Sequence, residues 1–513
     1  MENIGENLVP AMGLVFGSTS LIVLLAGVIL GIVLGALPGF GSSQSLALLF
    51  PMTFIMNGPD AILFCVAVYS AAEYGGSIPA ILIRTPGTPG GAVTVLDGYE
   101  MTRKGLASKA LKVSLFSGVI GGLTSTLIFI VAGSTLAWIG LQFGPGEMFA
   151  LGLFGLSIIG SFFGRDPAKG FLATGMGLLL ATVGSSGFGG LRFTFDLAPL
   201  MDGLPLVVIV IGLLAAPEAF RLLIEHRDSE VEDHGAADVA THKERNRFTR
   251  ADAVRLIPTW IRNSLIGTAI GAIPGAGASV GSLIAYNEEK RWSARGDEFG
   301  TGVEEGVAAP ESANNAVVAG TLVPSLALGI PGSGTAAILI GVLITKGIVP
   351  GPLLFKESTS LVLAIFVGLI VANVMLLGVG LMGAKVWGKV AHVPRRILGP
   401  FVMLMIVIGT YAYSNYAAHV VMVLIIGSLA YYFEKLEIPS VPIMLAFVMG
   451  PIIERNLNKA LTIHAGDLMV VLTRPITIVI LLLALATAWY GFKRAGAPAA
   501  DPESAGTGKA AEH

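Results

Sequence analysis

From Leu361 to Ala384 the chain runs without a charged residue, and Leu21–Ala36, Phe116–Val131, Leu204–Ala216, Phe401–Ile408 and Ile476–Trp489 are equally free of charge. Several of these runs approach the roughly 20 residues that cross a hydrocarbon core of about 30 Å. The shorter ones read as broken helices, re-entrant segments or parts of longer tilted spans. Composition agrees: 54% of residues are apolar and 13% charged, where soluble domains carry about 25% charged. With a mean hydropathy of +0.78, the chain has too little polar surface to cover a soluble globule. The lipid bilayer is its solvent, and in lipid only closed hydrogen-bonding patterns span. The predicted fold is an all-α polytopic membrane protein of about 10–14 membrane segments.

Several function classes drop out. A net charge of −2 offers no electrostatic footprint for nucleic acid. The lone Cys65 allows no disulfide framework. Met1–Ser18 holds no Lys or Arg, so the basic region of a cleaved signal peptide is missing and Leu21–Ala36 reads as a retained first span. No HExxH, GxSxG or Walker A pattern occurs. His226, His234 and His242 fall in one polar stretch, His513 near the end, and His392, His419 and His464 are scattered. No enzyme activity, metal cluster or cofactor is expected, and energy must come from an ion gradient or a partner ATPase.

One long polar stretch, Glu225–Arg250, divides the chain, and a second, Gly496–His513, closes it. The expected organisation is a first membrane repeat at 1–223, a polar linker at 224–254, a second repeat at 255–495 and a disordered tail at 496–513. The two halves resemble each other. Gly31, Gly35, Pro38, Gly39 and Gly41 recur as Gly267, Gly271, Pro274, Gly275 and Gly277, an offset of 236; Gly75, Pro79, Pro86 and Gly87 recur as Gly320, Pro324, Pro331 and Gly332, an offset of 245. Lys and Arg mark the cytoplasmic side. The clusters Arg103–Lys112, Arg165–Lys169, the linker, Lys290–Arg295, Lys385–Arg396 and Lys493–Arg494 put linker and C-terminus in the cytoplasm and the N-terminus outside. The halves are then inverted relative to each other.

Each half thus carries two Pro-Gly interruptions within apolar sequence. Proline removes a backbone donor and clashes with the preceding turn, and glycine takes conformations closed to other residues. A lone interruption is most often a packing kink. Four, in two matched pairs, mark the site of a transporter, with broken helices near the bilayer midplane. Hydroxyl and amide residues follow each one: Ser42, Ser43 and Gln44; Thr88; Ser279 and Ser282; Ser333 and Thr335. Helices restarting there aim free N–H groups at a shared cavity, which suits an anion and above all a carboxylate. The candidate binding residues are Pro38, Gly39, Gly41, Ser42, Ser43, Gln44, Pro86, Gly87, Thr88, Pro274, Gly275, Gly277, Ser279, Asn314, Asn315, Pro331, Gly332, Ser333 and Thr335. Asn314 and Asn315 are either amide ligands or interhelical bonds. Glu73, Arg84 and Glu311 are candidate charged partners, since charge inside a membrane is costly and functional by default; Arg84 alternatively pairs structurally or snorkels. Unwound carbonyls offer ligands for Na⁺.

The doubled G-x₃-G-x₂-P-G-x-G pattern at Gly31–Gly41 and Gly267–Gly277, the stretch Tyr74–Gly90 and the stretch from Asn314 to Thr335 resemble the large membrane subunit of tripartite tricarboxylate transporters, the TctA family. The resemblance runs from about residue 15 to 495, outside the linker and tail. It implies a secondary transporter of carboxylates in the bacterial inner membrane, coupled to Na⁺ or H⁺. It also implies two partners, a small membrane subunit of about four helices and a periplasmic solute-binding protein that delivers the solute. A passive anion channel built on the same broken helices is the alternative, and an intramembrane enzyme a more distant one.

Overall fold

The computed structural model describes residues 4–141, 143–162, 166–186, 189–224, 247–390 and 395–495. Most of the linker and the whole tail lie outside the described residues. The first half contains α1 (Ile4–Val15), α2 (Ser18–Gly35), α3 (Ser42–Leu49), α4 (Gly58–Ile83), α5 (Val95–Arg103), α6 (Ala107–Leu141), α7 (Pro145–Phe162), α8 (Pro167–Ala181), α9 (Leu206–Val210) and α10 (Ala216–Ile224). A two-residue antiparallel pair, β1 (Gly184–Ser185) with β2 (Leu191–Arg192), lies between α8 and α9. The second half contains α11 (Arg250–Gly271), α12 (Gly277–Trp292), α13 (Glu304–Leu328), α14 (Gly334–Thr345), α15 (Leu354–Glu357), α16 (Thr359–Val390), α17 (Arg395–Ser414), α18 (Ala417–Lys435), α19 (Ser440–Ile463), α20 (Leu468–Leu472) and α21 (Pro475–Ala495). Among the described residues, eight helices are long and apolar enough to cross a bilayer. The chain is an all-α, multi-pass membrane protein.

Two boundaries differ from the sequence reading. Helix α1 precedes the expected first span, is held on α16, and is tied there by Ser360 Oγ donating to Asn7 Oδ1 at 2.7 Å. Helix α11 begins at Arg250, inside the stretch assigned to the linker. Thr249 and Asp252 form a reciprocal capping box that starts it there, which secures two otherwise orphaned donors. The apolar run at Leu204–Ala216 continues into one rod through a π-helical segment, Ile211–Ala215. The cause is Pro217, which has no N–H to give and forces the preceding turn to widen.

Helices α4 and α13 form the centre. Every residue from Asp60 to Ile81 and from Glu305 to Ala327 is buried. Glycines set how closely their neighbours approach. On α2, a Cβ at Gly31 would lie 2.7 Å from the Val68 carbonyl oxygen, and one at Gly35 would overlap the carbonyl of Ala72. On α11, a Cβ at Gly271 would lie 2.8 Å from the Val317 oxygen of α13. Backbone-to-backbone contact of this kind drives helix association in lipid, where apolar burial gives no net advantage. The halves also brace each other crosswise: α6 packs on α13, while α16 packs on α4. Likewise α10 packs on α17 and α18, while α19 packs on α7 and α8.

Candidate functional site

All four expected interruptions are present. Pro38 lies between α2 and α3, Pro86 between α4 and α5, Pro274 between α11 and α12, and Pro331 between α13 and α14. The two halves use the same backbone devices. Gly39 and Gly275 both stand at φ 80. Helix α4 ends on Arg84 at φ 59, its N–H donating to the Pro79 carbonyl. Helix α13 ends on Gly329 at φ 71, its N–H donating to the Pro324 carbonyl. The breaks within a half satisfy each other: Gly39 N donates to Pro86 O at 3.3 Å, and Gly275 N to Gly332 O at 3.0 Å. An unmet backbone group in lipid costs several kcal/mol, so a break of this kind persists only beside another polar strand. That is the physical reason they come in pairs.

Across the halves, α3 meets α14. Ser42 Oγ lies 3.0 Å and Ser43 Oγ 2.9 Å from Thr335 Oγ1. Helix α3 starts at Gly41 with no side-chain cap, so its first N–H groups and their dipole end face this junction. Ser333 caps α14 through Ala336 N at 3.1 Å and meets Tyr69 OH at 2.9 Å. On the other side, the second break meets the second half: a Cβ on Gly90 would overlap Asn314 Oδ1 and lie 3.2 Å from Ala278 Cβ of α12. Residues from all four interruptions thus meet across the two halves, although Gly39 itself is exposed.

The carboxylates sit among these residues. Ser42 donates to Glu73 Oε1 at 2.6 Å, and Thr88 and Asn314 face the same carboxyl. Glu311 is held by Ser77 at 2.6 Å, by Ser114 at 2.9 Å and by a short contact from Thr94. Asn314 Nδ2 donates to the Glu73 carbonyl, and Asn315 Nδ2 to the Glu311 carbonyl, each at 3.5 Å. Pro331, Gly332, Ser333, Thr335, Gly41, Ser42, Gly87 and Thr88 are buried, while Pro38, Ser43, Gln44, Pro86, Pro274 and Gly277 are partly so.

Two residues do not join. Arg84 is exposed at the end of α4, with its guanidinium over the Tyr99 ring 5.8 Å from the centroid. A left-handed cap points it away from the carboxylates, so it is not their charged partner. Ser279 is exposed on α12, one side of which faces outward, and its neighbour Ser282 turns to the Pro310 carbonyl instead. Sequence reasoning missed Tyr69, Ser77, Thr94 and Ser114. The signal for Tyr69 was in the repeat: 314 − 245 = 69, so Tyr69 and Ser70 stand where the second half has Asn314 and Asn315. The other three carry no pattern that sets them apart from ordinary membrane-helix hydroxyls.

The model of the tripartite tricarboxylate transporter TctA family matches residues 21–445. The chain belongs to the TctA family. It is thus a membrane-embedded subunit of a tripartite tricarboxylate transporter, which works with partner subunits. This TctA-family chain is 35% identical over 461 residues to an uncharacterized 52.8 kDa protein of the TAR-I ttuC' 3'region of Agrobacterium vitis, covering 90% of each chain. It is also 35% identical over 219 residues to an uncharacterized protein of the TAR-II ttuC' 3'region of the same organism, covering 43% of this chain and 90% of that one. No solved structure matches it.

Proposed function

We propose that this TctA-family subunit imports small carboxylates into a bacterial cell by cation symport, across the inner membrane, and performs no covalent chemistry. The observation that carries the reading is the Ser42–Ser43–Thr335 junction, where restarting helices from the two halves meet at a pair of breaks. Free N–H groups and hydroxyl donors recognise a carboxylate without a full buried cation, so the solute is released as readily as it is bound. The two halves are inverted repeats, which gives the junction equivalent routes to either face. The N-terminus is periplasmic, and linker and C-terminus are cytoplasmic. A periplasmic solute-binding protein delivers the solute, a small membrane subunit of about four helices completes the complex, and the coupling ion is Na⁺ or H⁺.

The test is uptake of labelled di- and tricarboxylates by cells carrying the chain with its partner subunits, with and without imposed Na⁺ and pH gradients. Saturable accumulation that needs a gradient and the binding protein is expected. Uptake that never saturates and ignores both gradients would identify a passive anion channel instead.

A further inference from the structure

The two central carboxylates are surrounded differently. Glu311 is met on both oxygens, by Ser77 and Thr94 on Oε1 and by Ser114 on Oε2. Glu73 has one well-formed hydrogen bond, with the Thr88 hydroxyl and the Asn314 amide only lying near its carboxyl. Ser42 donates to its Oε1 at 2.6 Å, while its Oε2 is buried with no hydrogen-bond partner. Beside it Asn314 is 0% exposed, and its Oδ1 is a second orphan, set against Gly90 at the second break. Exchanging the amide nitrogen and oxygen gives no relief. It would set Oδ1 face to face with the Glu73 carbonyl that Nδ2 now serves.

Both orphans are acceptors; among the described residues Asn263 and Asn315 carry two more orphaned amide oxygens, and the orphan on Glu73 is the one that sits on a carboxylate. A buried charged acceptor is the most costly kind. What the pair lacks is a donor or a cation, and a carboxylate gains most from a partner that carries charge.

We infer that Glu73 and Asn314, with Thr88, hold the symported cation, a proton or Na⁺, at the second helix break. This rests on the cation-symport reading above. Loaded, the site is neutral and crosses the low-dielectric interior at little cost; empty, it leaves a bare carboxylate there. Ser42 links it to the solute junction. Its single proton is committed to Glu73, so toward Thr335 it can only accept. Loading or unloading Glu73 therefore resets which hydroxyls at the junction remain free to donate to a carboxylate.

The experiment uses the purified full chain in detergent. Binding of radioactive Na⁺ is read by scintillation proximity. In Na⁺-free buffer, the infrared C=O stretch of protonated carboxyls is followed through a pH titration in wild type and in each variant. The expected result is one saturable Na⁺ site, or one titrating carboxyl band, that Glu73→Gln weakens by at least about tenfold, the loss of one charge-assisted ligand. Asn314→Ala, which keeps the carboxylate, shifts the same signal in the same direction, so the assignment stays testable if Glu73→Gln does not elute as a single folded species. Glu454→Gln, which breaks the ion pair with Arg192 away from this site, leaves the signal in place. Both signals intact in Glu73→Gln, or neither present in the wild type, overturns the assignment. Failure of the symport reading shows separately, as gradient-independent uptake by the wild type.

Discussion

Asp97 joins the two halves at a point where the cost of losing it follows from the geometry. It is wholly buried on α5. Its Oδ1 accepts from Gly302 N at 2.7 Å and Val303 N at 2.9 Å, its Oδ2 from Tyr286 OH at 2.8 Å, and Gly300 N lies 3.0 Å from both. The loop ahead of α13 is thereby tied to the first half. Asp97→Ala leaves three backbone N–H groups and a phenol without an acceptor. At about 1–3 kcal/mol per orphaned donor, and with Gly300 exposed enough to regain water, the expected loss is about 3–5 kcal/mol. Asp97→Asn keeps one acceptor oxygen for the loop and turns its amide toward the Tyr286 hydroxyl, which can accept. It loses only charge assistance, about 1–2 kcal/mol. The assay is thermal unfolding of the solubilised protein by tryptophan fluorescence, with limited proteolysis of the 296–303 loop. The Ala variant is expected to unfold well below the Asn variant and to be cut in that loop. An Ala variant as stable as wild type, or an Asn variant as damaged as Ala, would refute the reasoning.

Gly39→Leu and Gly275→Leu are expected to abolish uptake while the protein remains in the membrane. Both positions stand at φ 80, where a Cβ strains the turn by about 1–3 kcal/mol; near-normal uptake in both would remove the role assigned to the breaks. Gly35→Val should prevent α2 from seating on α4, because its Cβ would occupy the Ala72 carbonyl. The measurement is recovery of monodisperse protein by size-exclusion chromatography, and wild-type recovery would contradict the packing argument. Ser43→Ala, which removes one of the two hydroxyls on Thr335, should raise the half-saturating carboxylate concentration about fivefold to tenfold, equivalent to one net hydrogen bond. A change in protein abundance alone would make that hydroxyl structural.

The membrane class, the helical fold and the four interruptions were legible in the sequence because lipid punishes unpaired backbone, and only Pro and Gly announce such places. Pro38, Pro86, Pro274 and Pro331 were found for that reason. What could not be read was which breaks meet. The Ser42–Thr335 contact joins residues 293 positions apart, and no local pattern encodes a pairing across that distance. Arg84 misled because proximity to Glu73 in sequence says nothing about the left-handed cap that turns the chain between them. Asp97 carries no signal in the sequence: apart from the Tyr286 hydroxyl its partners are backbone N–H groups, which leave no trace in side-chain identity. Helix α1 escaped because it is too short to read as a span and is held by α16, which lies far along the chain.

The cradle of Glu311 has an origin that bears on biosynthesis. Ser77, Thr94 and Ser114 all precede the carboxylate they hold by more than half the distance between the two halves' signatures, and all are made before the linker leaves the ribosome. Taken by themselves, the three hydroxyls are neutral and cost little to leave unpaired in lipid. A C-terminal fragment would expose a naked carboxylate, which membranes reject. Order of synthesis therefore protects the later segment, since its most vulnerable side chain is received into a solvating pocket assembled in advance.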